Sequence, residues 1–250
     1  MIHSFLMVGQ SNMAGRGYFN EVEPIDNTNL LVLRNGRWQK LFTPVNPDRR
    51  FSGISLAESF ALEYSKTHGN VQVGLIPCAD GGTDIDDWCE GGVLFDNAIY
   101  QTRLADRTSN IAGVLWHQGE SDAKEGRVEV YEEKLRKVIS AFRKEKALSD
   151  IPFIMGELGK WDRTNTPWDG KLYDKINDII VKVATSTPNA NIVSSTGLTP
   201  NEDFLHLNAK SLREFGVRYF NAFSLIENKN KKFIDKPRED GAIRNALSEL

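Results

Sequence analysis

Apolar positions along the chain follow two different spacings. Short, nearly continuous apolar runs occur at residues 2–8, 71–76, 111–116, 151–155 and 191–195. They predict buried strands, because a strand covered on both faces loses the alternation of a half-exposed one. Longer segments between them repeat at three- and four-residue steps. Leu56 and Phe60 lie on one line of 53–67, beside Ala57, Ala61 and Tyr64. Val128, Tyr131, Leu135, Val138, Ile139 and Phe142 mark a helix over 127–144, and Leu172, Ile176, Ile179 and Val183 mark one over 171–184. A further helix is predicted at about 95–108, and Leu212, Phe215 and Tyr219 share a face within 207–220. Residues 30–41 read as a hairpin turning at Asn35 and Gly36, a favoured two-residue connection. Strands alternating with amphipathic helices predict an α/β fold whose mostly parallel sheet is covered on both sides.

No internal repeat or linker divides this pattern, so one domain is expected over 1–225. From 226 to 250 the composition turns charged and is broken by Pro237 and Gly241, which predicts an extension or loosely docked tail. The 250 residues are 40% hydrophobic, enough for one sizeable core. A net charge of -3, from 31 basic and 34 acidic residues, gives no electrostatic case for a nucleic-acid or anionic-membrane partner. This balance does not exclude a neutral carbohydrate or other small polar ligand. Cys78 and Cys89 are too few for a four-thiolate metal site, and free thiols are expected. No run approaches the ~18 apolar residues of a membrane span. The N-terminus lacks a basic region followed by a hydrophobic stretch and cleavage site, and Met1 leads almost directly into the first strand. The expectation is a cytoplasmic chain, or one secreted after removal of a signal peptide.

Ligands of open α/β sheets gather beyond the carboxyl ends of the strands. Four polar clusters fall there: GQSNMAGRG after the first strand, PCADGGTDIDDW after the second run, HQGESD after the third, and EDFLHLN after the last. Ser11 either caps a short helix or acts as a nucleophile, and the second role needs a base. Asp203 and His206, three positions apart, either form an ordinary turn or hold an imidazole in the tautomer that abstracts a proton. The backbone N–H of Ser11, an N–H from Gly81–Gly82 and the side-chain amide of Gln118 are candidates to converge on one carbonyl oxygen.

Taken together, GQSNMAGRG, GGTDIDDW, WHQGESD and DFLHLN resemble the serine esterases of the SGNH-hydrolase superfamily, in particular carbohydrate esterase family 6 and the sialate O-acetylesterase-like domain, which includes acetylxylan esterases. The likeness spans roughly residues 2–220. It implies a three-layer α/β/α, flavodoxin-like fold and a serine carbohydrate esterase that releases acetate from acetylated xylan or xylo-oligosaccharides without metal or organic cofactor. Acetylated sialic acid is the near alternative substrate, other small acyl esters come after it, and a non-catalytic carbohydrate-binding module is the alternative of a different class. The resemblance assigns Ser11 as nucleophile and His206 as base, with Asp203 as the acid that orients it. It leaves Glu120 as a second candidate for that acid, or as a group that stabilises the site from behind. Gly82 and Gln118 join Ser11 as oxyanion donors. His117, Asn12 and Trp88 are expected to bind substrate or to support the site.

Overall fold

The computed structural model describes residues 1–230. Seven strands form one sheet: β1 (Ile2–Gly9), β2 (Leu30–Arg34), β3 (Arg37–Lys40), β4 (Gln72–Pro77), β5 (Asn110–His117), β6 (Phe153–Gly156) and β7 (Ala190–Val193). Their spatial order is β3-β2-β4-β1-β5-β6-β7. All neighbours are parallel except β2 and β3, the hairpin, which turns through Asn35 and Gly36, both at positive φ. The predicted strands are present, with ends displaced by at most two residues. Beyond the pattern, the hairpin is not a separate flap: β2 pairs with β4 and extends the sheet.

Six helices connect the strands: α1 (Ser11–Ala14), α2 (Leu56–Thr67), α3 (Val93–Asp106), α4 (Val128–Lys144), α5 (Gly170–Ser186) and α6 (Ala209–Asn230). Helix α6 continues past 225, where a change to tail was expected; residues 231–250 of that extension lie outside the described residues. Alternate residues of β1 enter two separate cores. Ile2, Leu6 and Val8 pack in the core beneath α3, α4 and α5. Phe5 and Met7 pack in the core beneath α2 and α6, where Phe5 meets Phe60, Tyr64 and Phe223 edge-on at 4.7, 4.8 and 5.4 Å. This double covering explains the unbroken apolar run. The result is an α/β/α sandwich with β1 near its middle.

The chain moves from β1 to one side of the sheet and later crosses to β5 on the other. The carboxyl end of β1 therefore lies where the strand order reverses, the usual place for a ligand crevice. Gly9 sets the geometry of that end. Its φ is +124°, and a Cβ there would stand 2.0 Å from the His117 carbonyl oxygen. Gly9→Ala should therefore cost about 3 kcal/mol, read as a fall in Tm. An unchanged Tm would contradict this close approach of β1 and β5.

Among the described residues no helix is long and apolar enough to cross a membrane. Both cysteines are unbridged, and burial pushes the Cys78 thiol up to about 12, well away from a reactive thiolate.

Candidate active site

After Gly9 the chain turns sharply. The Gln10 N–H donates to the His117 carbonyl at 2.8 Å, and the Gln10 carbonyl accepts from Met13 and Ala14 at 2.9 and 3.0 Å. This strand-to-helix turn sets Ser11 at the sheet rim as the first residue of α1. His206 arrives from the segment between β7 and α6. Its Nε2 lies 3.0 Å from Ser11 Oγ, and its Nδ1 lies 2.6 Å from Asp203 Oδ2. Asp203 Oδ1 accepts the backbone N–H groups of Leu205 and His206, each at 2.9 Å. Three positions are enough for this because the turn folds back through Phe204, at φ +53°, an uncommon conformation for a bulky residue. Trp168 Nε1 donates to the Asp203 carbonyl at 3.2 Å and Trp161 Nε1 to that of Phe204 at 2.9 Å, pinning the turn from outside. Partial burial raises the Asp203 pKa, but hydrogen bonds from the His206 ring and from the backbone of His206 and Leu205 prevail and hold it at about 2. Asp203 is therefore a carboxylate throughout the neutral range.

Ser11 and His206 open onto a cavity of about 350 Å³, whose wall also includes Gln10, Arg16, Arg49, Phe51, Gly82 and Trp168. The Gly81–Gly82 turn is held from behind. Arg16 and Asp48 form a buried pair at 2.7 Å, and Asp48 Oδ2 also accepts the Gly81 N–H at 2.8 Å. Burial raises the Asp48 pKa, yet Arg16, Ser52 and the Gly81 N–H together bring it below the ordinary value. With Gly81 engaged, the N–H groups of Gly82 and Ser11 have no hydrogen-bond partner among the described residues.

Two expected residues sit elsewhere. Gln118 is fully buried, and its amide nitrogen donates to Asp122 Oδ2 at 2.6 Å, with longer contacts to Gln10 Oε1 and the Thr83 carbonyl at 3.4 Å. Its NH2 group is thus turned to a buried carboxylate rather than to the cavity wall. Burial pushes the Asp122 pKa up, and contacts from Gln118 and Arg127 oppose that rise. Trp88 is fully buried and edge-on to Trp116 at 5.7 Å, and its Nε1 donates to Thr83 Oγ1 at 3.3 Å next to the glycine turn, so it stands behind the site rather than in the cavity wall.

His117 is fully buried, with Nε2 3.2 Å from the Glu157 carbonyl and Nδ1 3.5 Å from Glu120 Oε1. Glu120 lines the cavity, but its Oε1 accepts from Asn12 Nδ2 at 2.6 Å, whereas the carboxylate on His206 is that of Asp203. Sequence reasoning missed Gln10, Arg16, Asp48, Arg49 and Asp122. Gln10 and Arg16 belong to the same GQSNMAGRG cluster as Ser11, which was a usable signal; Asp48, in a proline-rich connection, carried none.

The mostly parallel sheet covered by helices on both faces is the α/β fold of SGNH/GDSL-type hydrolases. A lipase/acylhydrolase from Enterococcus faecalis shares it at a TM-score of 0.56 and 13% identity, over 91% of this chain and 97% of its own. Over residues 1–225 the chain matches the carbohydrate esterases described as sialic acid-specific acetylesterases, and it belongs to that family. "Probable carbohydrate esterase At4g34215" of Arabidopsis thaliana is 26% identical over 241 residues, covering 88% of this chain and 89% of the relative. The solved structure of the Arabidopsis protein AT4G34215 superposes at a TM-score of 0.79 with 25% identity, over 89% of this chain and 98% of that one. XAC1771 from Xanthomonas citri, described as a novel carbohydrate acetylesterase, shares the fold at a TM-score of 0.64 and 17% identity, over 92% of this chain and 57% of that one. The chain is accordingly a carboxylic-ester hydrolase of the carbohydrate acetylesterase type. The match stops at that level and does not single out acetylxylan esterases.

Proposed function

We propose that the protein removes O-acetyl groups from saccharides through an acyl-enzyme on Ser11. The observation that carries this reading is the continuous chain of contacts from Ser11 Oγ to His206 to Asp203, at 3.0 and 2.6 Å, opening on one cavity. His206 Nε2 takes the hydroxyl proton as Ser11 attacks the acetyl carbonyl carbon. Asp203, accepting from Nδ1–H, keeps the other ring nitrogen free for that transfer and stabilises the imidazolium that forms. The tetrahedral oxygen is met by the N–H groups of Ser11 and Gly82, and each such donor is worth about 3 kcal/mol in the transition state. His206 then protonates the departing sugar oxygen. Water, activated in turn by His206, releases acetate and restores Ser11.

Acetylated xylo-oligosaccharide is the substrate that the sequence resemblance suggested. O-acetylated sialic acid is a second reading, favoured by the family's description and by Lys124 in the cavity wall, which suits an acidic sugar. Acetate release from acetylated xylo-oligosaccharides, O-acetyl sialic acid and p-nitrophenyl acetate separates these substrates. A fluorophosphonate should label Ser11 covalently. A chain that binds sugar but neither reacts at Ser11 nor releases acetate from any of the three is a binding module, and the reading falls.

A further inference from the structure

Asn12 is almost completely buried beside Ser11, and all its side-chain hydrogen bonds cross to distant parts of the chain. Its Oδ1 accepts the Leu207 N–H at 2.9 Å, and its Nδ2 donates to the Leu205 carbonyl at 3.3 Å. Leu205 and Leu207 are the residues on either side of His206. One side chain, adjacent in sequence to Ser11, thus holds the backbone on both flanks of the imidazole that Ser11 meets. Such an amide works in only one orientation, because Leu207 requires an acceptor and Leu205 a donor. Glu120 supplies the remaining contact: its buried carboxylate takes the Asn12 Nδ2 hydrogen at 2.6 Å, a short bond of the charge-assisted kind.

We propose that Asn12 and Glu120 form a clamp that sets the reach between Ser11 and His206, with Glu120 fixing the Asn12 amide and Asn12 fixing the histidine segment. Both are positioning residues. The clamp gives the glutamate of HQGE a task that needs no contact with the imidazole, and it rests on the reading of Ser11 and His206 as nucleophile and base. A misplacement of about 1 Å between such groups can cost about 100-fold in rate.

The test is a set of variants assayed on p-nitrophenyl acetate, with Tm measured for each. N12D keeps the acceptor for Leu207 but loses the donor and sets a second carboxylate against Glu120. It should lose about 100-fold in kcat with little change in KM. Adding E120Q restores a donor, now on the glutamine and directed at the new aspartate, and should recover about tenfold over N12D. Should N12D fail to fold, E120L and E120Q decide: the leucine removes the acceptor, the glutamine keeps one, and E120L should be the slower by about tenfold. N12D with the parent kcat, a double variant no faster than N12D, or equal kcat for E120L and E120Q would each overturn the clamp. A parent chain that neither reacts with fluorophosphonate at Ser11 nor releases acetate fails the nucleophile reading itself, and the clamp then has nothing to align.

Discussion

A Ser11→Ala chain should fold with an unchanged Tm and hydrolyse acetyl esters about 10⁶-fold more slowly than the parent. Ser11 Oγ is the hydroxyl in contact with His206 Nε2, and alanine leaves the imidazole with no oxygen to activate. Alanine keeps the Cβ and deletes only the hydroxyl, so nothing new has to be accommodated at this nearly buried position. Backbone donors at Ser11 and Gly82 survive the change, so a residual rate about 10³-fold above the uncatalysed one is expected. Fluorophosphonate labelling should vanish altogether. A folded S11A chain with near-parent turnover would remove Ser11 from the chemistry.

Asp203→Asn should lower kcat by about 10⁴-fold while leaving Ser11 and His206 in place. An aspartate accepts the Nδ1 hydrogen; an asparagine amide can donate there instead, which selects the wrong tautomer and puts a hydrogen on the nitrogen that should receive the serine's proton. E120Q should lose far less than D203N, because Glu120 bonds Asn12 rather than His206. Equal losses in the two variants would return the choice of acid to Glu120. Proton linkage adds a second readout. The Asp203 pKa is depressed to about 2 in the folded chain, so its contribution to stability is complete above the ordinary carboxylate pKa of about 4 and is lost as pH falls through about 2. D203N should therefore unfold with a shallower acid dependence than the parent over that window, as followed by Tm against pH. Nearly half of the side chain is exposed, so solvent screening keeps the difference small.

The placement of the strands, and of every predicted helix but the last, was legible to within a few residues because each depends on local periodicity: continuous apolar runs for strands buried on two faces, three- and four-residue steps for the helices; α6 runs ten residues beyond the apolar stripe that marked it. The hairpin at Asn35–Gly36 was legible for the same reason, since a tight turn is a property of its own residues. Strand order was not, because it depends on which way each crossover swings. The site divided along the same line. The Asp203–His206 contact closes over three positions and could be read as a local turn, whereas Ser11 meets that turn across 195 positions. The surroundings of Gln118 and Trp88 were not legible, because both occupy polar-looking segments whose buried sides form only on folding: Asp122 takes the Gln118 amide hydrogen, and Trp116 packs against the Trp88 indole.

By itself the sequence determined the element pattern, the α/β class and the four polar clusters at the ends of strands, since these follow from side chains acting on their near neighbours. Only the tertiary structure decided which carboxylate rests on His206, that Arg16 and Asp48 brace the glycine turn, and that Asn12 bridges the two halves of the site. Each of these is a hydrogen bond between residues far apart in the chain, and its existence depends on where the sheet sets their backbones.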